Sequence, residues 1–464
     1  MDNIESKSIG DLVLRQRSFY ISHGTRSVAF RKEQLKKLEH ILRTNEPLLF
    51  DAIYADLKKS KQDTITTELA LIYHELGLAV RKLSKWSNRK RVGTNFINFP
   101  SRSYILPEPF GVVYIAGAWN YPYQLTLLPL VSAIAAGNVA VVKPSEMAPH
   151  TSQIMARLIN ENFPADYIHV LEGGADVAGK ILEQRFDKIF FTGGSRIGKI
   201  VYEAAAKHLT PVTLELGGKN PAIVLPDCNI DITAKRLIWG KFMNAGQTCV
   251  APDYILVHSS IEQPLLSRMK QLLHDHYSTT TLTENFMSIV NRNHFERLSK
   301  LIKPGYVFYG GVTDPEQLFI CPTILQNITF DDEVMKEEIF GPILPVIRYN
   351  DLQEAIQKVQ KYEKPLAFYV YGKRSAVTKK LFDELSFGGG SLNDSVMYFG
   401  NHHLPLGGVG ASGMGAYHGF EGFRTFSHYK SIMEKGTWLE FWFLKSPPYK
   451  KWKLSIMRFL MEKL

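Results

Sequence analysis

Cysteine is scarce in this chain. The 464 residues contain only Cys228, Cys249 and Cys321, an odd number at wide spacings. Zinc ligands and disulfide frameworks come in closer and more regular sets, so this pattern argues against both. We expect free thiols in a reducing cytoplasm, and no bound metal.

Long apolar runs are also missing. No run approaches the ~20 residues that span a bilayer, and the opening stretch MDNIESKSIGDLVLRQ has no apolar segment of the kind that forms a signal peptide. We therefore expect no membrane-spanning helix and no signal peptide. With 45% hydrophobic and 22% charged residues, the composition is that of a globular protein of two or three domains.

The net charge of +10 is unevenly distributed. The last twenty residues hold six basic residues against one glutamate, so they carry half of the excess. The rest is spread along the chain without a cluster. We therefore expect no nucleic-acid-binding face.

Apolar spacing divides the chain into a helical start and an α/β body. Residues 28–90 repeat apolar side chains at helical spacing, whereas from Phe110 short apolar strands alternate with helix-length segments. Such alternation predicts parallel sheets covered by helices on both faces. The predicted strands are Val112–Ala116, Val139–Val142, Ile168–Leu171, Ile189–Thr192 and Val212–Leu216 in a first sheet, and Ala222–Leu225, Tyr254–Val257, Ile343–Ile347 and Leu366–Tyr371 in a second.

Polar residues and glycines follow four strands of the first predicted sheet. Asn120 follows the first strand, Lys143 and Glu146 the second, Gly193–Ser195 the fourth, and Glu215 lies at the end of the fifth. The carboxyl ends of parallel strands share one edge, where ligands bind, so these residues predict one crevice. A single polar strand end would indicate no more than a solvated turn.

Two glycine-rich stretches need separate interpretations. Gly193–Lys199 begins like a phosphate-binding P-loop, but Ile200 stands where that loop needs a hydroxyl; what remains is a turn that opens a helix and suits a pyrophosphate. The alternative is a tight turn without a ligand. Gly408–Gly413 reads G-x-G-x-x-G but follows no strand, so we interpret it as a loop that passes close to the site.

Cys249 lies in the stretch FMNAGQTCVAP, among small and polar residues. The preceding Gly-Gln-Thr favours a turn that exposes the sulfur and the Cys249 N–H. An exposed thiol with a base nearby is a nucleophile. The alternative is a small buried hydrophobe.

Seven motifs occur in one order along residues 28–433, and in that order they resemble the aldehyde dehydrogenase superfamily. The likeness is to its class 3 branch of dimeric fatty and aromatic aldehyde dehydrogenases. The motifs are AWNYP at 118–122, KPSE at 143–146, FTGGSRIG at 191–198, LELGGKNP at 214–221, NAGQTC at 244–249, EEIFGP at 337–342 and LPLGGVGASGMG at 404–415.

The resemblance implies catalytic roles for three residues. Cys249 would attack the aldehyde carbon, and the Asn120 amide together with the Cys249 N–H would hold the resulting oxyanion. Glu215 would be the general base, with a pKa raised by burial. The alternative for Glu215 is an ordinary ion pair with a lysine such as Lys219.

The resemblance also implies a set of cofactor contacts. For the Glu338 and Phe340 contacts the alternative is that Glu337, Glu338 and Phe340 belong to an acidic turn before a strand. Glu146 near the ribose favours NAD over NADP without excluding NADP. The implied contacts are Lys143 and Glu146 at the adenosine ribose, Gly193, Ser195 and Gly198 at the pyrophosphate, and Glu338 and Phe340 at the nicotinamide and its ribose.

The expected protein is an α/β homodimer that oxidises medium- or long-chain aliphatic or aromatic aldehydes with NAD or NADP. The alternatives are a cofactor-independent thiol esterase and a non-catalytic nucleotide-binding protein. The expected divisions are a Rossmann-like cofactor domain at 1–87 and 110–215, a catalytic domain at 216–393, a small β bridging and oligomerisation segment at 88–109 and 394–433, and a basic amphipathic tail at 434–464.

The tail leaves three interpretations open. It packs on the body as core, it caps the substrate tunnel of its own or a partner subunit, or it lies reversibly on an anionic membrane surface.

Overall fold

Helices and strands alternate through most of the protein, as the sequence pattern predicts. The computed structural model describes residues 2–277 and 286–462. Its α-helices are α1 (Asp2–Ile21), α2 (Val28–Thr44), α3 (Glu46–Leu57), α4 (Lys61–Thr64), α5 (Ala70–Trp86), α6 (Gln124–Ala136), α7 (Pro149–Asn160), α8 (Ala175–Leu182), α9 (Ser195–Ala206), α10 (Ile230–Phe242), α11 (Glu262–His276), α12 (Arg292–Leu301), α13 (Leu352–Gln360), α14 (Ala376–Glu384), α15 (Gly419–Thr425), α16 (Trp442–Lys445) and α17 (Lys451–Met461).

The strands form two large sheets and two small ones within the described residues. They are β1 (Lys90–Val92), β2 (Ser101–Pro109), β3 (Val112–Ala116), β4 (Val139–Lys143), β5 (Ile168–Val170), β6 (Lys188–Thr192), β7 (Val212–Glu215), β8 (Pro221–Val224), β9 (Tyr254–His258), β10 (Val307–Tyr309), β11 (Thr313–Asp314), β12 (Phe319–Ile320), β13 (Thr323–Leu325), β14 (Ile343–Tyr349), β15 (Ala367–Tyr371), β16 (Gly389–Leu392), β17 (Gly413–Met414) and β18 (Ser427–Lys435).

The first sheet has the order β17-β7-β6-β3-β4-β5, and all its strands but β17 run parallel. β3, β4 and β6 are buried along their whole length, because helices cover both faces. The predicted parallel sheet is therefore confirmed. The edge strand β17 comes from the glycine-rich 404–415 motif, which places that loop beside Glu215.

The second sheet has the order β10-β13-β14-β9-β8-β15-β16, with β10 antiparallel at one edge. The four strands predicted for it are all present. β16 was not predicted, because the sequence GGSL carries little of the apolar pattern that marks a strand.

The third sheet, β1-β2-β18, is antiparallel and long. β18 continues to Lys435, two residues past the limit of 433 that the sequence suggested for this segment. Within the same 394–433 range, β17 joins the first sheet and α15 packs against α6. Residues 394–433 therefore contribute strands to both the first and the third sheet.

The two ends of the chain differ in burial. α1, which the sequence analysis did not predict, inserts Ile9, Leu12 and Val13 into the core beside β3 and β4. α17 contacts the body mainly at a short turn, Phe96–Asn98, and most of its side chains are exposed. No helix among the described residues has the length and apolar content to cross a bilayer.

Candidate active site

The carboxyl edge of the first sheet collects the polar residues that the sequence predicted to meet. The four strands that carry them, β7, β6, β3 and β4, are direct neighbours. Ala116 pairs with Lys143, and Thr192 pairs with Glu215, so the strands end level with one another. Level ends place these residues along one crevice, as expected for a doubly wound sheet.

A strained turn carries Cys249 into this crevice. Asn244, Ala245 and Gly246 have φ values of 58°, 52° and 72°, a left-handed run that residues with side chains adopt rarely. A Cβ atom on Gly246 would lie 2.2 Å from the carbonyl oxygen of Gly341, so glycine is required there. Backbone strain of this kind is concentrated at functional sites. Cys249 itself remains half-buried.

Asn120 is bonded to the same turn. Its Nδ2 donates to the Gln247 carbonyl at 3.0 Å, and Asn244 Nδ2 donates to the Asn120 carbonyl at 2.9 Å. Next to it, the Tyr121 hydroxyl and Thr248 Oγ1 are 2.6 Å apart. An amide nitrogen carries two hydrogens, so Asn120 has a second N–H while the first fixes its orientation two residues from the thiol.

Asn220 holds the other side of the cysteine, and the sequence analysis did not single it out. Its Nδ2 donates to the carbonyls of Cys249 at 2.7 Å and Ala251 at 3.0 Å. Its Oδ1 accepts from Ala367 N in the second sheet at 2.8 Å. Asn220 belongs to the motif LELGGKNP, in which the sequence analysis gives a catalytic role to Glu215 alone.

Glu215 is a buried carboxyl without a partner. It is 4% exposed, and neither carboxyl oxygen has a hydrogen-bond partner in the part of the chain that the structure describes. Lys219 instead bonds Asp253 at 2.5 Å, so the ion-pair alternative for Glu215 is wrong. Burial raises the pKa of Glu215 well above its ordinary value.

The Cys249 thiol has its pKa raised as well. Burial, followed by the nearby carboxyl groups of Glu338 and Glu215, raises it to about 12. The thiol is therefore protonated at neutral pH in the free protein. It becomes a nucleophile only if a base removes the proton.

Glu338 and Phe340 lie where the two large sheets meet. Burial and the charge of Asp253 raise the pKa of Glu338 to about 8, while the Gly218 N–H and two lysines oppose this shift. Phe340 has a left-handed φ of 53°, and its ring lies edge-on to Trp119 at 5.4 Å. These contacts place Glu338 beside the Glu215 strand end and Phe340 beside the Asn120 turn.

The remaining cofactor candidates line the other half of the crevice. α9 begins at Ser195, directly after the Gly193-Gly194 turn, and Ser195 Oγ donates to the Ala411 carbonyl at 3.3 Å. A Cβ on Gly198 would lie 2.8 Å from Leu216, so its missing side chain lets α9 approach the strand end.

Lys143 and Glu146 complete that half of the crevice as an ion pair. Lys143 Nζ bonds Glu146 Oε2 at 2.9 Å, with the lysine buried and the glutamate half-exposed. Unpaired helix N–H groups, an exposed carboxylate and a glycine-lined turn suit the pyrophosphate and ribose of a dinucleotide. Across the described residues no group of three or more His, Cys, Asp or Glu side chains is arranged to hold a metal.

Comparison with known proteins agrees with this geometry. A family model described as "Aldehyde dehydrogenase family" matches residues 17–432. The chain belongs to the aldehyde dehydrogenase family. The 4,4'-diaponeurosporen-aldehyde dehydrogenase of Staphylococcus aureus is 44% identical over 94% of this chain and 95% of its own. The dimeric NADP-preferring aldehyde dehydrogenase of Rattus norvegicus is 43% identical over 92% and 95%.

Solved structures place this aldehyde dehydrogenase in the same group. A substrate-bound structure of Staphylococcus aureus AldH superposes with a TM-score of 0.94 at 43% identity, over 97% of this chain and 98% of that one. The predicted likeness to the class 3 branch is confirmed, since relatives named as family 3 members also match. The protein is therefore an oxidoreductase that oxidises aldehydes with NAD or NADP.

Proposed function

We propose that Cys249, Glu215 and Asn120 form the catalytic group of this dehydrogenase. Glu215 accepts the Cys249 proton, and the thiolate forms a C–S bond with the aldehyde carbon. The carbonyl oxygen becomes an oxyanion that accepts hydrogen bonds from the Asn120 amide and the Cys249 N–H. Support comes chiefly from the Glu215 carboxyl, buried and unpartnered beside a thiol that needs a base.

The second half of the reaction reuses the same groups. Bound NAD or NADP supplies the hydride acceptor. As the oxyanion returns to a carbonyl, the hydrogen on its carbon leaves as hydride and Cys249 holds a thioester. Glu215 releases the proton of Cys249 to solvent and then takes a proton from water while the hydroxide attacks the thioester. The C–S bond breaks to release the carboxylic acid, and the departing Cys249 thiolate takes the proton from Glu215, which restores both groups.

The assignment is tested with Cys249→Ala. Aldehyde plus NAD should give reduced-nicotinamide absorbance with the wild type, and at least ~10⁴-fold less with the variant. NAD binding, measured by calorimetry, should be retained. A variant that keeps aldehyde oxidation, or that loses NAD binding, would show that the thiol has been misplaced. Hydrolysis of an activated ester without NAD is a side reaction of the same thiol and should disappear with it.

We propose that Lys143, Glu146, Gly193, Ser195, Gly198, Glu338 and Phe340 bind the cofactor, with NAD preferred. Glu146 accepts hydrogen bonds from ribose hydroxyls but repels a 2′-phosphate, while Lys143 moderates the repulsion. Glu146→Gln should raise the affinity for NADP relative to the affinity for NAD, so that the ratio of the two moves toward one. An unchanged ratio would remove Glu146 from the selection of cofactor.

We propose medium- or long-chain aliphatic or aromatic aldehydes as substrates. Ala118, Tyr121 and Leu125 form a small apolar cluster with Met243, next to the strained turn that leads to Cys249. The S. aureus relative is named as a 4,4'-diaponeurosporen-aldehyde dehydrogenase. A panel from acetaldehyde to decanal and benzaldehyde, ranked by kcat/KM, decides the point; a preference for acetaldehyde would contradict it.

We propose a homodimer built on the third sheet. Val92 of β1, Phe96 of the following turn and Met433 of β18 are exposed on this segment of the chain, and one relative is named dimeric. Light scattering after size-exclusion chromatography should give twice the mass of the chain. A monomer that is fully active would overturn the proposal.

We propose that the tail contacts an anionic membrane surface reversibly, from a cytoplasmic location. Exposed aromatic side chains lie along it beside basic residues, so it does not form part of the core. Such residues bind headgroups by a mixture of apolar burial and charge attraction. The exposed aromatic residues are Trp438, Phe441, Trp442, Phe443, Tyr449, Trp452 and Phe459.

Sedimentation with phosphatidylserine vesicles tests this contact. Full-length protein should pellet, and a form ending after Gly436, which leaves β18 whole, should not. Equal pelleting together with equal activity on decanal would remove the membrane role, and the equal activity would also argue against a tail that caps the tunnel.

A further inference from the structure

A buried ion pair lies behind residues 118–124, the turn that carries Asn120. Lys59 Nζ and Glu68 Oε1 are 2.8 Å apart, and both side chains are almost fully buried. Neither residue belongs to the motifs that carry the chemistry. The pair lies in the helical N-terminal part of the chain, and Glu68 also accepts the N–H of Tyr123, 55 residues further along.

The local backbone explains why these two charges turn inward. Lys58 ends α3 in a left-handed conformation, with φ 56°, and the chain reverses immediately before Lys59. Glu68 lies in a π-helical turn, Ile65–Leu69, between α4 and α5. A π-turn inside a helix is uncommon and is found frequently at functional sites.

Both residues of the pair contact the turn that carries Asn120. The other oxygen of Glu68 accepts the backbone N–H groups of Tyr123 at 2.8 Å and Gln124 at 3.2 Å, which are the first free donors of α6. The Lys59 ammonium lies 4.2 Å from the centre of the Tyr121 ring. Residues 121–124 are therefore held from behind by both charges.

The front of the same turn contacts the cysteine loop. Asn120 Nδ2 bonds the Gln247 carbonyl, and the Tyr121 hydroxyl bonds Thr248 Oγ1. A buried ion pair is a weak source of stability, because apolar replacements of similar volume are often equally stable. Here both charges act on one short turn, which points to a role in fixing its geometry.

We propose that Lys59 and Glu68 are positioning residues, which hold the 118–124 turn so that the Asn120 amide meets the oxyanion formed at Cys249. This rests on the proposed roles of Asn120 and Cys249. A misplaced donor loses much of its effect on the transition state, because its benefit depends on preorganised geometry. The pair should therefore affect the rate of the chemical step and leave NAD binding unchanged.

The test is a double-mutant cycle on Asn120, read by single-turnover reduction of NAD with hexanal. Glu68→Gln should slow this step ~10–100-fold in the wild-type background. In the Asn120→Ala background the same change should cost less than ~3-fold, since the donor that it positions is already gone. Equal losses in both backgrounds would overturn the proposal and assign the pair to general stability.

Two further variants keep the test decisive. If Glu68→Gln fails to fold because it strands a buried ammonium, Lys59→Met/Glu68→Gln removes both charges and should fold. It should keep the rate loss, and full activity in this double variant would overturn the proposal.

Asp187→Asn is the matched control. Asp187 likewise joins a cation, Arg17 at 2.9 Å, to a backbone N–H, that of Val112 at 2.8 Å, but at the opposite end of β3. It should leave the single-turnover rate unchanged; a loss equal to that of Glu68→Gln would overturn the special role of the Lys59–Glu68 pair. If Asn120→Ala or Cys249→Ala retained full aldehyde oxidation, the catalytic roles themselves would fail, which is a separate result.

Discussion

The active-site crevice buries charged groups, whereas the C-terminal tail exposes large aromatic groups, and both arrangements are unusual in a folded domain. The crevice buries carboxyl groups, and that of Glu215 has no partner in the described chain. The tail exposes large aromatic groups, with Trp442 at 70%, while its Lys445 and Arg458 bond nearby glutamates. Soluble domains ordinarily pair buried charges and cover aromatic groups.

The two departures suit different functions. An unpaired carboxyl in a dry crevice has a raised pKa, which suits a group that exchanges protons near neutral pH. The exposed aromatic groups of the tail are only partly covered within the chain, as where Trp438 meets Phe99, and a second surface that covered them would be favoured. The crevice therefore suits acid–base chemistry, and the tail suits contact with another surface.

Among the changes that test this comparison of crevice and tail, the largest effect should follow Glu215→Gln. The change keeps the shape of the side chain but removes the base, so kcat should fall ~10²–10⁴-fold. Because this buried carboxyl has no hydrogen-bond partner among the described residues, the free energy of unfolding should stay level or rise. Steady-state rates and urea unfolding check both; a stability loss without a rate loss would show that the burial is structural.

The wild-type rate should also rise with pH as Glu215 loses its proton, and Glu215→Gln should remove that rise. The pKa of this carboxyl is raised, so the base form grows only as the pH passes its elevated value. A pH profile of single-turnover rates measures the slope. An unchanged profile in the variant would assign the titration to another group.

Glu338 should make stability depend on pH. Its pKa is about 8 when folded against an ordinary 4.5, so the folded state holds a proton that the unfolded state releases between these values. The free energy of unfolding should therefore fall as pH rises from 4.5 to 8, by an amount on the order of a few kcal/mol. Glu338→Gln should flatten this part of the curve in urea unfolding; an equal slope would contradict the assignment.

The smallest effect should come from Trp442→Ser in the tail. The side chain is 70% exposed, so the free energy of unfolding should change by less than ~0.5 kcal/mol. Phe190→Ala in β6, where the ring is fully buried, should cost ~3–5 kcal/mol and serves as the contrast. A large loss from Trp442→Ser would mean that the tail packs on the body or on a second copy in solution.

Local pattern explains which parts of the fold the sequence predicted. Strands such as Val112–Ala116 are continuous apolar runs between turn residues, so periodicity suffices to find them. The predictions failed where the pattern is short or unusual. The apolar residues of α1 are not gathered on one helical face over its whole length, and β16 reads GGSL, so neither gives a strong periodic signal.

The sequence by itself determined which residue types follow the strands, including the amide and the carboxyl, and that the cysteine lies among small and polar residues, because these features are local runs along the chain. Only the tertiary structure decided that Lys219 binds Asp253 and not Glu215, that Asn220 bonds the Cys249 carbonyl, and that Glu68 bonds both Lys59 and the turn after Asn120. The partner of a buried charge depends on which distant segments pack together, and no local spacing records that.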